Sequence, residues 1–433
     1  MTFSGGGFSA TGVDVQTIAE GRSFGVDLSN PAVGEITIRV TPAHGQAREF
    51  LRFLSYEYNE NFLSLSDSWN FELAQRELSA QDSDSLTPGA KVEVLVENHL
   101  QSTGILDSVE INGDARGGSV VRIEGRDWLS PTVDSQADPR LTFKPGQTLE
   151  DVLKAVFGDF GITNFDFDNA ANRNIITGQL RGTKTSKKGK PLKSYVLHEE
   201  SPYPNEGAFA FAHRISQRFG LWIWPGADGK TVYVSKPDFD ELPRYGLQHV
   251  YGEGAASNNV VRGHFKVSRQ EQPSVLLASG FGAGGNFAKS RLRAGIVNPV
   301  VLADNSAVMK AYPHVKFVTL PTPSSAFPLL VEGFARPAYL YDGESHTQAQ
   351  LENYILRELS LRLRKVLTAR YEFMGHKINK QPVAVDTMIN LNEGNPAFRW
   401  NGPLWVLGRR FSKTPRDGTR TTLELILPNS LVF

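Results

Sequence analysis

The 433-residue chain has no cysteine. That excludes disulfides, thiol nucleophiles and cysteine-ligated zinc, and it suits assembly in a reducing cytoplasm. Charge of one sign is also missing: 46 Lys and Arg balance 46 Asp and Glu, so the whole chain is not an electrostatic binder of nucleic acid. No apolar run approaches the roughly 20 residues that span a bilayer, and no membrane segment is expected. The opening MTFSGGGFSATG has neither a basic n-region nor an apolar core, so a signal peptide is not expected. No Gly-x-Ser-x-Gly supports a hydrolase elbow. His198-Glu199-Glu200 is followed by Pro202 where a zinc helix would need its second histidine.

What is present is ordinary globular composition, 40% hydrophobic and 21% charged, on a length that implies two to four domains. Forty glycines and 24 prolines favour a turn-rich, mainly β architecture. From about residue 20 to 135 the runs EITIRV, KVEVLVEN, GILDSVEI and SVVRIEG alternate apolar and polar residues between turn signals, as in a small barrel or sandwich. Trp69, Phe71 and Leu73 alternate and are expected on one face. The period then changes. Thr148 and Asp151 have capping-box spacing, and Leu149, Val152, Leu153, Val156 and Phe157 fall on one helical face closed by Gly158 and Gly161. A second helix from Asn205, with Phe211, Ile215 and Phe219 four apart, runs into a hairpin made of LWIW, PGADGK and TVYVS. The longest helix opens at Ser345 or Thr347, with Leu351, Ile355, Leu359 and Leu363 as its apolar stripe and Glu358–Arg362 as a favourable pair. Strand-like runs LTARYEFMGHKI, PLWVLGRRF and RTTLELILP follow. No clear internal repeat is visible.

Residues 103–135, TGILDSVEINGDARGGSVVRIEGRDWLSPTVDS, are the most informative stretch. Ile105, Val109 and Ile111 alternate on one strand and Val121 and Ile123 on the next, with Asn112-Gly113 and Gly117-Gly118 supplying the turn and Gly125-Arg126-Asp127 a tight corner. The order Thr-Gly-x-Leu-Asp, hairpin, Gly-Arg-Asp, Val-Asp-Ser resembles the baseplate hub proteins of Mu-like contractile-tailed phages, the late control protein D or tail hub superfamily. FGDFGI, Lys236-Pro237, NNVVRGHFKVSRQEQPSVLLASG and the passage from Arg336-Pro337 to Gly375-His376 resemble later parts of the same family in the same order. The resemblance covers roughly residues 90 to 430.

That resemblance implies a mainly β fold with α+β insertions: two tail-tube-like β-barrels, a small α/β domain and a long crossover helix. The division expected is a first barrel at 1–140, the α/β domain at 141–245, and a second barrel at 246–433 carrying helix 345–370. It implies a structural, non-enzymatic homotrimer in the virion's tail baseplate. There three chains would adapt the sixfold tail-tube protein above to a threefold central spike below, with tape-measure and surrounding wedge proteins as neighbours. A phage and a phage-like injection system share this architecture. The alternative from another class is a tail-associated cell-wall-degrading enzyme, for which 141–245 is the one candidate domain.

Other constellations have plainer readings. Gly280-Phe281-Gly282-Ala283-Gly284-Gly285 with Asp304 fits the dinucleotide fingerprint, but Gly295 and Asn298-Pro299 end any helix that would face a pyrophosphate, so an inter-strand loop is expected. Asp342, Glu344 and His346 read as a solvated loop before the long helix, not a metal site, and His376 as a turn or core residue. Lys184, Lys187, Lys188, Lys190 and Lys193 form the one basic run. Its composition reads as a solvated loop, and its functional reading is non-specific contact with DNA or the tape-measure protein in a tail channel. No catalytic residue, cofactor or metal is assigned.

Overall fold

The computed structural model describes residues 35–430 except 115–117, 145–146, 168–199, 218–220, 238, 240, 252–257, 269, 271, 282–290, 299–305, 319–335, 344, 346–347, 396–397 and 429. Alternating sequence becomes alternating burial from the start. β1 (Ile36–Thr41) buries Ile36, Ile38 and Val40 completely. β2 (Arg48–Phe50), β3 (Ser55–Asn61) and β4 (Ser68–Ala74) follow, the last turning Trp69, Phe71 and Leu73 inward together as their spacing demands. Ser79 and Asp82 make a full capping box on α1 (Ala80–Ser85). β5 (Lys91–Val96), β6 (His99–Asp114) and β7 (Gly118–Asp127) complete the first half, with Gly118 at φ +83° where the β6–β7 turn requires it. One expectation fails here. A register shift between Leu106 and Ser108 puts Leu106, in place of Ile105, on the core side with Val109, while Ile111, opposite Val121, is 64% exposed.

The chain next builds a small α/β layer. α2 (Ser130–Asp134) leads to α3 (Leu149–Phe157), whose capping box of Thr148 and Asp151 is formed and whose apolar face is wholly buried. Gly161 adopts φ +74° to stop it. β8 (Asn164–Asp166), α4 (Ala208–Gln217), β9 (Trp222–Pro225) and β10 (Thr231–Ser235) form a three-stranded sheet against the two helices. Its core joins Val152, Leu153 and Phe157 to Phe209, Phe211 and Ile215 and to Ile223, Val232 and Val234. The β9–β10 turn seats on the first sheet: Thr103 Oγ1 donates to the Ala227 carbonyl (2.7 Å) and Trp128 Nε1 to that of Gly226 (3.1 Å).

Two sheets make up the rest. β11 (Tyr245–His249) and β12 (Arg262–Val267) belong to the large sheet, whereas β13 (Val275–Phe281), β14 (Arg291–Val297), β15 (Lys316–Val318) and β16 (Pro337–Asp342) form a separate four-stranded one; α5 (Ser306–Ala311) precedes β15. The two strands of the NNVVRG…VLLASG run are therefore not a pair. α6 (Gln348–Leu363) packs on β13 and β14, burying Leu351, Ile355, Leu359 and Leu363 as its spacing predicts, with Glu358 and Arg362 paired at 3.9 Å. It ends at Leu363, short of residue 370, because Leu367 already opens β17 (Leu367–Met374). The helix joins the small sheet to the large one rather than crossing between strands of one sheet. β18 (Lys377–Ile378), β19 (Gln381–Pro382), β20 (Met388–Asn395), β21 (Phe398–Thr414) and β22 (Gly418–Ile426) finish the chain's strands.

The main finding is how the halves meet. One sheet runs β12-β17-β22-β21-β3-β4-β7-β6-β5-β1-β2, with β20 and β11 branching from β21. The fold is mainly β as expected, but among the described residues no ladder closes either half into a barrel. The two halves are joined in one hydrogen-bonded sheet, because β21 pairs with β20 and β22 on one stretch and with β3 on another.

Ile355 has no exposed surface. Ile355→Asp should therefore cost about 3–5 kcal/mol, the range for an unpaired charge in packed apolar surroundings. Thermal melting of the variant checks this, with a large drop expected.

Candidate functional site: the corner and the joint

The motif segments of residues 103–135 converge on one corner. Gly104 lies opposite Asp127 and Leu106 opposite Gly125 in the β6–β7 ladder. A Cβ on Gly104 would lie 2.1 Å from the Arg126 carbonyl oxygen, and one on Gly125 would lie 2.2 Å from both the Ile105 carbonyl oxygen and Trp69 Cζ2. Only glycine allows the strands this close. Arg126 then ties the three motif pieces together: Nε meets Asp107 Oδ2 at 2.7 Å, and the two terminal nitrogens meet both Asp134 oxygens at 2.8 and 2.6 Å. Asp127 is fully buried and accepts from the backbone N–H of Asp67 (2.5 Å) and Leu129 (2.8 Å). The motif's polar residues are thus a structural knot at the point where β7 hands the chain to the α/β layer.

Beside it lies the joint between the sheet halves. Arg409 stands opposite Glu60 across the β21–β3 ladder and points inward with Phe411. Its guanidinium is buried, donating from Nε to Glu60 Oε2 (2.6 Å), to Gln101 Oε1 (2.8 Å) and to the Val383 carbonyl, and it lies 4.7 Å from the Phe411 ring centre. Tyr58 donates to the same Glu60 oxygen at 3.1 Å. A neutral contact runs alongside. The buried His376 bonds through Nε2 to Tyr56 of β3 (2.7 Å) and through Nδ1 to Thr421 of β22 (2.9 Å). Since Thr421 gives its own proton to the Gly375 carbonyl (2.6 Å), it must accept from Nδ1–H, and Nε2 must accept from Tyr56. Burial, aided by the charge of Arg409, pushes the His376 pKa down to about 3, so the ring is neutral at physiological pH. Lys413–Glu35 (2.8 Å) and Lys377–Glu97 add ion pairs across the same seam.

Between corner and joint is a cleft lined by Glu60, Asn61, Asp67, Asp127, Trp224 and Asp386. It opens into a wider cleft of about 500 Å³ that reaches His99, Tyr233, Arg244 and Arg409. Desolvation, then the neighbouring Glu60 and Asp127, raise the Asp67 pKa well above its ordinary value. Burial raises that of Asp127 to about 6 against the pull of its two backbone donors. Among the described residues no group of three or more acidic or histidine side chains is placed to hold a metal.

The lysine run at 184, 187, 188, 190 and 193 lies outside the described residues, as do Glu344 and His346. Gly280 and Phe281 end β13, and β14 pairs antiparallel to it; the rest of the fingerprint, 282–285, lies outside the described residues. Arg409, Glu60 and Asp67 were not singled out by sequence. The signal for Arg409 was present: counting back by two from Phe411 turns the first arginine of Gly-Arg-Arg-Phe inward.

Comparison with known proteins now places this geometry. Residues 45–127, which hold β3 to β7 and the Gly-Arg-Asp corner, match the family described as Mu phage baseplate assembly protein GpP-like, N-terminal. Over that segment the chain is similar to Mu-like phage baseplate proteins. No curated protein sequence matches it. Its fold resembles a tail protein from Neisseria meningitidis MC58 (19% identity, 90% of this chain and 96% of that one, TM-score 0.64) and the 43 kDa tail protein of prophage MuSo2 from Shewanella oneidensis (14%, 92% and 99%, 0.64). It also resembles the prophage tail protein gp18 of Listeria monocytogenes EGD-e (11%, 90% and 94%, TM-score 0.50). The chain thus shares its fold with these tail proteins over nearly the whole length of each.

Removing one partner of a buried ion pair strands the other charge. Arg409→Ala should cost about 3–5 kcal/mol, read as a lower melting temperature, and Arg409→Met with Glu60→Gln should recover much of it.

Proposed function

We infer that this protein is the hub of a contractile tail baseplate: a homotrimer at the virion's tube–spike junction, adapting the sixfold tail tube above to a threefold central spike below. The observation that carries this reading is the GpP-like match, which falls on the segment containing the corner and the β3 edge to which β21 attaches. Symmetry supplies the physical logic. Each chain offers two sheet halves fused at β3–β21, so three chains present six sheet halves around an axis while keeping threefold symmetry. The division at 1–140, 141–245 and 246–433 follows this plan, with the α/β layer between the halves. The role is structural rather than enzymatic, and tape-measure and wedge proteins are the expected neighbours. The lysine run is assigned to non-specific contact with DNA or tape-measure protein in the channel.

Two measurements test this. Mass photometry of the protein should give a species of three times 47.7 kDa; a dimer or hexamer would contradict the trimer, and clearing of peptidoglycan would favour a tail enzyme instead. Changing Lys184, Lys187, Lys188, Lys190 and Lys193 to serine should leave melting and assembly unchanged and lower DNA delivery by assembled particles. Failure to assemble would make the run a subunit contact.

A further inference from the structure

The two sheet halves are built on one plan. The first runs β3-β4-β7-β6-β5 and the second β12-β17-β22-β21-β20, in the same chain order and antiparallel at every one of these pairings. The registers agree too. Tyr56 opposes Phe71, which opposes Ile123, which opposes Val109; Gly263 opposes Tyr371, which opposes Leu423, which opposes Arg409. Even the bulge recurs, between Leu106 and Ser108 in β6 and between Val406 and Gly408 in β21. By register, then, β6 corresponds to β21 and β12 to β3.

The two halves differ in what they do past the bulge. There β21 has left β20 and pairs with β3, from Gly408 opposite Asn61 to Lys413 opposite Tyr56. β6 has likewise left β5, but among the described residues its segment 108–113 has a ladder on the β7 side alone. Nor does β12, the counterpart of β3, pair with any described strand besides β17. Both edges that the in-chain seam would use a second time therefore stand open.

We infer that the β6 edge of one chain pairs with the β12 edge of a second copy, in the register that β21 and β3 use within the chain. This rests on the trimer proposed above and names the surface that builds it. Transferring the register sets Val109 opposite the partner's Val267, Glu110 opposite the partner's Lys266, Ile111 opposite the partner's Phe265 and Asn112 opposite the partner's His264. The chemistry of the two edges matches. On the inner side Ile111 is 64% exposed in the single chain, and Phe265 and Val267 are half-buried. The same place in the seam holds Phe411 against Tyr58, with ring centres 5.8 Å apart. On the outer side Glu110 is exposed on β6, and Arg262, His264 and Lys266 are exposed along β12. Among the described residues neither Glu110 nor Lys266 has an ion-pair partner in its own chain. The seam carries the same pairing with the signs reversed, Arg410 facing Glu57 at 3.7 Å. The contact is head-to-tail, so each copy gives one edge and takes one. Three copies close a ring with neither edge left over, whereas an open row keeps two.

The chain has no cysteine, so an introduced pair is the only disulfide it can form. Asn112→Cys with His264→Cys puts the sulfurs on directly opposed residues, whose Cα atoms lie about 4.5–5.5 Å apart in such a ladder. After oxidation this double variant should run as a covalent trimer without reductant, and each single variant as a dimer at most. Asn112→Cys with Lys266→Cys spans the diagonal, about 7–8 Å, and should cross-link far less. Ile111→Asp, at an exposed side chain, should leave the circular dichroism spectrum unchanged and raise the trimer's Kd by about thirtyfold or more. A trimer by mass photometry in which the 112–264 pair does not cross-link overturns this ladder and leaves the hub reading standing. Cross-linked species running past three copies keep the ladder and overturn the closed trimer. An uncross-linked monomer or dimer overturns both.

Discussion

The fold depends on one pairing, β21 against β3. Without it the protein would be two sheets joined by connections; with it, a single sheet crosses the molecule and carries both cores on its inner side. The pairing is held by groups that are costly to bury singly. Arg409 has lost its water and is compensated by Glu60, Gln101 and a carbonyl. His376 has lost its charge and is compensated by two hydroxyls. A seam built this way specifies register strongly, since a one-residue slip would turn Arg409 out and Arg410 in.

Much of this was legible in the sequence wherever one period dominated. The capping box at Thr148, the stripe from Leu351 to Leu363 and the alternation of Trp69, Phe71 and Leu73 each follow from spacing alone and each stand in the structure. What failed did so for local reasons. The bulge after Leu106 put Leu106 in the core in place of Ile105, and no composition signal marks it. The large-sheet topology was invisible because β3 and β21 lie more than 300 residues apart, and a strand's edge partner is not written in its own pattern. Resemblance suggested two barrels; among the described residues the hydrogen bonds join the two halves in one sheet.

The corner at Gly104, Gly125 and Arg126 explains why a short motif can carry a resemblance at all. Two glycines are required by contact distances near 2 Å, and one arginine needs two aspartates from separate segments. Those demands fix residue types without fixing much else, which fits structural relatives that keep the fold at 11–19% identity. The same corner places Asp127 beside Asp67 and so brings the acidic cluster to the joint.

The proposed hub role asks two sheet halves per chain to present threefold symmetry on one side and approximate sixfold symmetry on the other. The direct measurement is an electron-microscopy map of the assembled tail tip. A hub of this design appears as three copies around the channel beneath the last tube ring, with β3–β21 intact in each and six sheet halves facing the tube. Six copies, or copies at the baseplate periphery away from the channel, would contradict it.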